Sequence, residues 1–315
     1  MSSTVANVVD ASIDARTQRS FRQAGPRQQA EARRGSTGAL YDGDMFRLAF
    51  ALGFASLIGA LGGGGAWAAG ATSAPENSGG GDSAGGAPSP KVTLTWLGQS
   101  CFLLGTAAGT RVLIDPIPKG VGFELPLGLR ADVVTVSHEH GDHNNVGLVT
   151  GPARLLRGLT ADKKGWTKIN EKVKDVAIRT VGVYHDEKRG AERGLNTVFI
   201  FEVAGLRIAH LGDLGHLLDD RQLSAIGSVD VVMVPVGGVF TIDAARATRV
   251  IDQLRPRLVV IPMHYRTPVS TVSQLAPIEG FLEGKANVRR QSGNVLPLTA
   301  VKSRAAAEIV VMGFK

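Results

Sequence analysis

The chain has 315 residues and a formal charge of +7, from 35 Lys and Arg against 28 Asp and Glu. Its one cysteine, Cys101, excludes an intrachain disulfide, and a 5% aromatic fraction without a nucleic-acid motif leaves no platform for stacked bases. Residues 1–90 hold 7 Arg against 7 Asp or Glu, so the whole excess falls on residues 91–315. There it is compatible with a small anionic substrate and equally with an ordinary lysine-bearing surface.

In chain order, residues 1–44 are polar, mixed in charge and poor in apolar periodicity, which predicts disorder. A secretory layout then begins at Met45: a short basic start, the apolar stretch 48–65, and small residues at Ala66-Trp67-Ala68 and Thr72-Ser73-Ala74. Residues 1–44 therefore read as a long n-region or an upstream extension. Residues 48–69 also approach the roughly 20 residues that span a bilayer, although the glycines 62–65 weaken such a helix. Residues 45–74 are thus a signal peptide or a membrane anchor, and either predicts an exported domain, periplasmic, extracellular or membrane-anchored. A Gly/Ser/Pro linker, 75–90, follows. The packable domain is 91–315.

Residues 92–97, 101–105 and 111–115 predict three short strands in a meander, with Cys101 as a small buried hydrophobe. After a Pro- and Gly-rich segment, 117–130, that can wall a site, the β-branched stretch 132–137 predicts a buried strand. It delivers His138-Glu139-His140-Gly141-Asp142-His143, which gathers three of the chain's 7 histidines. Side chains two apart at a strand end share a face, so His138 and His140 can grip one ion, leaving Asp142 and His143 to face another beyond Gly141. Imidazole nitrogen with carboxylate oxygen suits zinc and neighbouring first-row metals; magnesium and calcium prefer all-oxygen sites.

Four residues do not complete two metal sites, so further ligands are predicted at later strand ends. His185 follows the strand-like stretch 176–184, Asp213 follows 206–212, and His264 follows 258–263. Helices are predicted at 144–150 with an Asn144 or Asn145 cap, at 219–226, 243–254 and 270–282, with a helix or loop around Trp166 in 161–174. Tail strands at 296–301 and 308–312 complete an α+β pattern of two packed mixed β-sheets with helices on the outer faces.

The succession Asp115, His138-x-His140-x-Asp142-His143, His185, Asp213, His264 resembles the metallo-β-lactamase superfamily over residues 91–315. Thr95-Trp96-Leu97-Gly98, Ile114-Asp115-Pro116, Gly212-Asp213, Pro235-Val236-Gly237-Gly238 and Pro262-Met263-His264-Tyr265 are similar to its branch of ascorbate-6-phosphate lactonase-like proteins and metal-dependent hydrolases. Gln99 departs from the histidine that many of those relatives carry after Trp-Leu-Gly.

The resemblance implies the four-layer αβ/βα sandwich and two divalent metal ions, zinc or alternatively manganese or iron. His138, His140 and His185 would hold one ion, Asp142, His143 and His264 the other, and Asp213 would bridge them. Asp115 is expected beneath the metal loop, bonded to a ligand histidine, and His210 in the core or behind a ligand. Glu139 is expected to point to solvent and His216 to lie at a helix start or on the surface. Asp142 and Tyr265 are the expected catalytic side chains, Asp142 orienting or deprotonating the attacking water and Tyr265 donating to an oxyanion. The implied activity is hydrolysis of an ester-type bond, a lactone or phosphodiester, by hydroxide activated between two metals. The alternatives are an iron-dependent oxygen or sulfur redox enzyme on the same fold and a non-catalytic metal-binding surface protein.

Overall fold

The protein is described here from a computed structural model that covers residues 91–300 and 306–314. The predicted disordered extension, signal or anchor, and linker lie outside the described residues. Among the described residues no helix is long and apolar enough to cross a membrane.

The chain forms strands β1 (Val92–Gly98), β2 (Cys101–Thr106), β3 (Arg111–Ile114), β4 (Val133–Val136) and β5 (Arg154–Arg157), then β6 (Asn170–Val173), β7 (Val176–Tyr184), β8 (Leu195–Val203) and β9 (Leu206–His210). Helix α1 (Asp220–Ile226), β10 (Val231–Pro235), α2 (Ala244–Leu254), β11 (Val259–Met263), α3 (Glu279–Leu282), β12 (Val288–Arg290), β13 (Val295–Leu298) and β14 (Glu308–Val311) complete it. One sheet has the order β13-β1-β2-β3-β4-β5 and the other β12-β14-β11-β10-β9-β8-β7-β6. Both are mixed. In the first, β1, β2 and β3 pair antiparallel while β3-β4-β5 run parallel. In the second, β9, β10, β11 and β14 run parallel, and β6 to β9 form an antiparallel meander.

Burial follows this pairing. β1 alternates buried and half-buried residues from Val92 to Thr95, as a strand covered mainly on one face does. The central strands β10 and β11 are buried at every position, which is why they read as unbroken apolar stretches. Apolar residues of both sheets join one core, the centre of the predicted sandwich.

Two helices form where the sequence predicted them, and each is capped by the first residue of its predicted range. Asp219 accepts from the Gln222 amide while the Gln222 side chain accepts from the Asp219 amide, a complete capping box. Asp243 caps α2 through the Arg246 amide, and α2 buries Ala247, Val250 and Leu254. α1 lies against β7, to which the Arg179 guanidinium ties it by donating to the Ala225 and Ile226 carbonyls.

Three predicted segments differ. Residues 144–150 make only a 3-10 turn, Val146–Leu148, because Asn145 spends its amide on the Ile117 carbonyl and Asn144 on Glu139, leaving neither as a cap. Residues 161–174 contain no helix: Thr160 closes a turn onto Gly165, Trp166 donates to the Val183 and Asn196 carbonyls, and the rest adds edge strand β6. In 270–282 only Glu279–Leu282 is helical, since the Ala276 amide donates to Gly237 and its carbonyl accepts from Arg266. Strands β5 and β12 were absent from the sequence reading; short and carrying Arg at their ends, they lack its apolar signal.

Cys101 is fully buried, and burial pushes its thiol up to about 12. The native protein is therefore expected not to react with a thiol-specific disulfide reagent and to release one thiol equivalent on unfolding. Rapid reaction of the native chain would contradict this placement.

Candidate metal centre

The sheet topology brings the ligand candidates together. β9 and β11 run parallel with β10 between them, so their carboxyl ends meet at one edge, carrying Asp213 and His264. β7 is antiparallel to β8 and β8 to β9, so β7 also ends there, with His185 next. β4 delivers the 138–143 cluster from the other sheet. Ligands outside the carboxyl ends of strands are the general arrangement for open sheets.

Among the described residues three groups of donors have ligand atoms within 4.8 Å of one another: His138, His140 and His185; Asp142, His143 and His264; and, beneath them, Asp115 with His138 and His143. The first two are the groups the resemblance implied. His138 Nε2 and His140 Nδ1 are 3.1 Å apart. Between the groups sits Asp213, whose Oδ2 lies 3.2 Å from His143 Nε2, 3.3 Å from His185 Nε2, 3.5 Å from His264 Nε2 and 3.9 Å from His138 Nε2. Asp142 Oδ2 lies 3.7 Å from His143 Nε2 and 4.0 Å from His264 Nε2. Donor atoms bound at about 2.0–2.1 Å in a tetrahedron stand roughly 3.3 Å apart. The observed spacings fit cations between these atoms better than direct hydrogen bonds, which close to about 2.9 Å.

The buried polar atoms agree. Among the described residues, His143 Nε2, His185 Nε2 and Asp213 Oδ1 are buried without a hydrogen-bond partner, a loss of about 1–3 kcal/mol each unless something else engages them. Burial, reinforced by the neighbouring His143, holds His138 well below the ordinary imidazole range, and burial likewise lowers His140 and His264. Neutral imidazoles are the form that ligates metal. His143 behaves oppositely: burial opposes its charge, but Asp213 and Asp115 outweigh burial and raise it well above the usual value. Burial also opposes ionisation of Asp213, yet His143 and His264 keep it well below the carboxylate range. His138, His140 and His264 are thus in the form that ligates metal, and a cation beside Asp213 would take the place of the second proton that the carboxylates favour on His143; on those terms the residues present fit divalent cations.

Beneath the cluster, Asp115 is fully buried, as the resemblance implied. Its carboxylate accepts from the Ser137 amide at 2.8 Å, the Ser137 hydroxyl at 2.5 Å and His143 Nδ1 at 2.9 Å. That bond fixes the His143 tautomer with Nε2 free. Ser137 Oγ also meets His138 Nδ1 at 2.9 Å, so one carboxylate orients two histidines, the second through a serine that sequence reasoning missed. His210 is fully buried; Nε2 donates to the Ser100 carbonyl and Nδ1 accepts from the Gly212 amide, which braces the turn into Asp213. Asn196, also missed, holds the same turn by donating to the Leu211 carbonyl and accepting from the Asp213 amide.

Three of the nine left-handed non-glycine residues among the described residues lie at this centre. Asp115, Gln99 and His264 occupy left-handed conformations, φ 45°, 49° and 51°, which non-glycine residues keep only where their surroundings hold them. The Gln99 carbonyl supplies part of that hold, accepting from the His264 amide and from the Trp96 indole. Gly215 and Gly237 permit close approach: a Cβ would lie 2.2 Å from the His185 backbone at the first and 2.2 Å from the His264 carbonyl at the second.

Above the donors opens a cleft of about 510 Å³, lined by His140, Asp142, His185, Asp213 and His264 together with Glu192, Arg193, Phe240 and Val272. The last four carried no motif in the sequence. Asp186 places two of them, its carboxylate accepting from the amides of Lys188, Gly190, Glu192 and Arg193 and so folding that loop. Tyr265 does not line this cleft. It stacks on Trp96 and faces a different cavity, so the structure separates it from the other site candidates. Glu139 is not simply solvated; Arg157 and Asn144 hold its carboxylate. His216 is half-buried and satisfied, accepting from the Tyr184 amide and donating to the Leu217 carbonyl.

Residues 93–264 match the family profile described as Beta-lactamase superfamily domain. The chain belongs to this superfamily. Its relatives within the superfamily include a UPF0173 metal-dependent hydrolase from Anaeromyxobacter sp. (strain K), 31% identical over 233 residues that span 63% of this chain and 84% of the relative. A UPF0173 metal-dependent hydrolase from Pyrococcus furiosus is 33% identical over 196 residues, 56% of this chain and 85% of the relative. A crystal structure of a proposed Zn-dependent hydrolase of the metallo-beta-lactamase superfamily from Thermotoga maritima superposes with a TM-score of 0.57 at 35% identity. It covers 71% of this chain and 100% of its own. This superfamily member is thus a metal-dependent hydrolase with the two-sheet fold of its relatives.

Proposed function

We propose that the enzyme is a binuclear hydrolase that cleaves an ester-type bond, a lactone or phosphodiester, in a small anionic substrate. The observation that carries this reading is the position of Asp213 Oδ2 among four imidazole Nε2 atoms at 3.2–3.9 Å, between the two donor groups. In this reading His138, His140 and His185 hold one cation, Asp142, His143 and His264 the other, and Asp213 both, since a carboxylate alone among these groups has two donor atoms to share. The cations, zinc or alternatively manganese or iron, would supply Lewis acidity and lower the pKa of water toward neutrality.

The chain's own residues do the rest. Asp142 keeps about a third of its side chain exposed at the cleft, where a carboxylate oxygen can orient the attacking water and accept its proton. Arg193 faces the same cleft and fits the anionic end of a substrate, while Phe240 and Val272 take its apolar part and shed water from it. Export of the domain, by cleavage or anchoring at residues 45–74, belongs to the same proposal and rests on the sequence pattern.

The test is a panel of lactones and phosphodiesters assayed before and after chelation. Turnover that disappears with chelator and returns with added zinc or manganese is expected. Turnover indifferent to chelation, or none on either class, would contradict the reading.

A further inference from the structure

A larger cavity, about 720 Å³, lies on the other side of the segment that follows His264. Tyr265, Arg266 and Ser270 form one wall and Arg290 faces them, while Ile278 and Met312 contribute apolar surface. Tyr265 is 3% exposed, yet its hydroxyl has no hydrogen-bond partner among the described residues. Arg290 and Glu279 line the same cavity as Tyr265. Ser270 Oγ is buried without a partner among the described residues. Buried hydroxyls in folded proteins are nearly always paired, and an unpaired buried Ser270 Oγ beside a tyrosine hydroxyl in the wall of one cavity points to something bound there.

The charges select the ligand. Arg290 meets Glu279 only at 3.5 Å, with both side chains more than half exposed, a weak pair. Arg266 makes one long contact, 3.4 Å, to the Ser273 carbonyl. Two guanidinium groups against one carboxylate leave a single positive charge, and the planar guanidinium matches a carboxylate in two-point contact. The volume lies within the range of small-molecule sites.

We propose that this cavity is a second ligand site, separate from the metal cleft, for a small monocarboxylate with an apolar acyl or aryl body. Arg290 and Arg266 take the carboxylate, Tyr265 and Ser270 donate to it, and Ile278 and Met312 cover the apolar part. Ser270 lines this cavity and Val272 lines the metal cleft, so the segment joining them is a wall common to both sites. The proposal does not depend on the metal assignment.

Calorimetric titration of the full chain with octanoate and with phenylacetate tests it. Saturable binding of at least one of them is expected, unchanged by chelator, and weakened about tenfold or more by Arg290→Gln and by Tyr265→Phe, because each removes a hydrogen bond to a charged group. Arg290 is exposed and Tyr265→Phe keeps the ring on Trp96, so both variants should melt as the parent does; melting curves taken alongside check this. No saturable binding of either acid, binding equally tight in both variants, or binding weakened instead by Arg193→Gln in the metal cleft would overturn the proposal.

Discussion

Asp213→Asn is expected to lower kcat/KM by roughly 10³-fold while the chain still folds. The substitution keeps the side chain's size and removes the one charge that faces four imidazoles. Asparagine offers one oxygen where the carboxylate offers two, so both donor groups lose their common ligand. Charge stabilisation by metal ions is worth several kcal/mol at the transition state, and about 4 kcal/mol corresponds to the stated factor. Side-by-side kinetics on any substrate found in the screen read it directly. A variant within a few-fold of the parent would mean that Asp213 does not lie between the working groups.

Asp115→Ala should be costly for stability first and for activity second. It strips the acceptor from three buried donors: the Ser137 amide, the Ser137 hydroxyl and His143 Nδ1. Each orphaned donor costs about 1–3 kcal/mol, so a loss of about 3–5 kcal/mol is expected after partial relaxation, which lowers the melting temperature by roughly 10 °C in a domain of this size. Asp115→Asn keeps the shape and is expected to melt higher than the alanine variant. Its metal affinity should still fall about 10–100-fold, because His143 no longer donates to a carboxylate. Melting curves and metal titrations of the two variants separate these effects. An alanine variant as stable as the parent would show that the Asp115 network carries no such load.

The convergence of these histidines and aspartates was legible because metal chemistry restricts the residue types to look for and because sheet order puts strand ends together. His185, Asp213 and His264 each follow a strand-like stretch rich in apolar residues, and β7, β9 and β11 do end at one edge. Asp115 was placed by resemblance, and in the structure its carboxylate lies 2.9 Å from His143 Nδ1. The supporting shell was not legible. Ser137 and Asn196 act through single hydrogen bonds, and neither stands in a pattern that distinguishes it from other serines and asparagines. Arg193, Phe240 and Val272 reach the cleft from three separate loops, a convergence that only folding creates.

Tyr265 illustrates the limit of reasoning by adjacency. Its neighbour His264 turns toward Asp213, but His264 sits at φ 51°, and the next side chain departs toward Trp96. Residues 270–282 failed as a helix for a different reason. Gly237 and Arg266 engage the backbone groups of Ala276 that a helix would need. Local pattern yields where another segment offers the backbone partners first.

The central claim is that two cations occupy the space between these donors, and elemental analysis of the purified full chain tests it most directly. Protein prepared without added metal should retain about two equivalents of zinc or manganese per chain, with Asp213→Asn retaining fewer. Two equivalents of iron would keep the donor assignment and turn the chemistry toward the redox alternative. A parent chain that holds no metal tightly, even after incubation with zinc, would contradict the account.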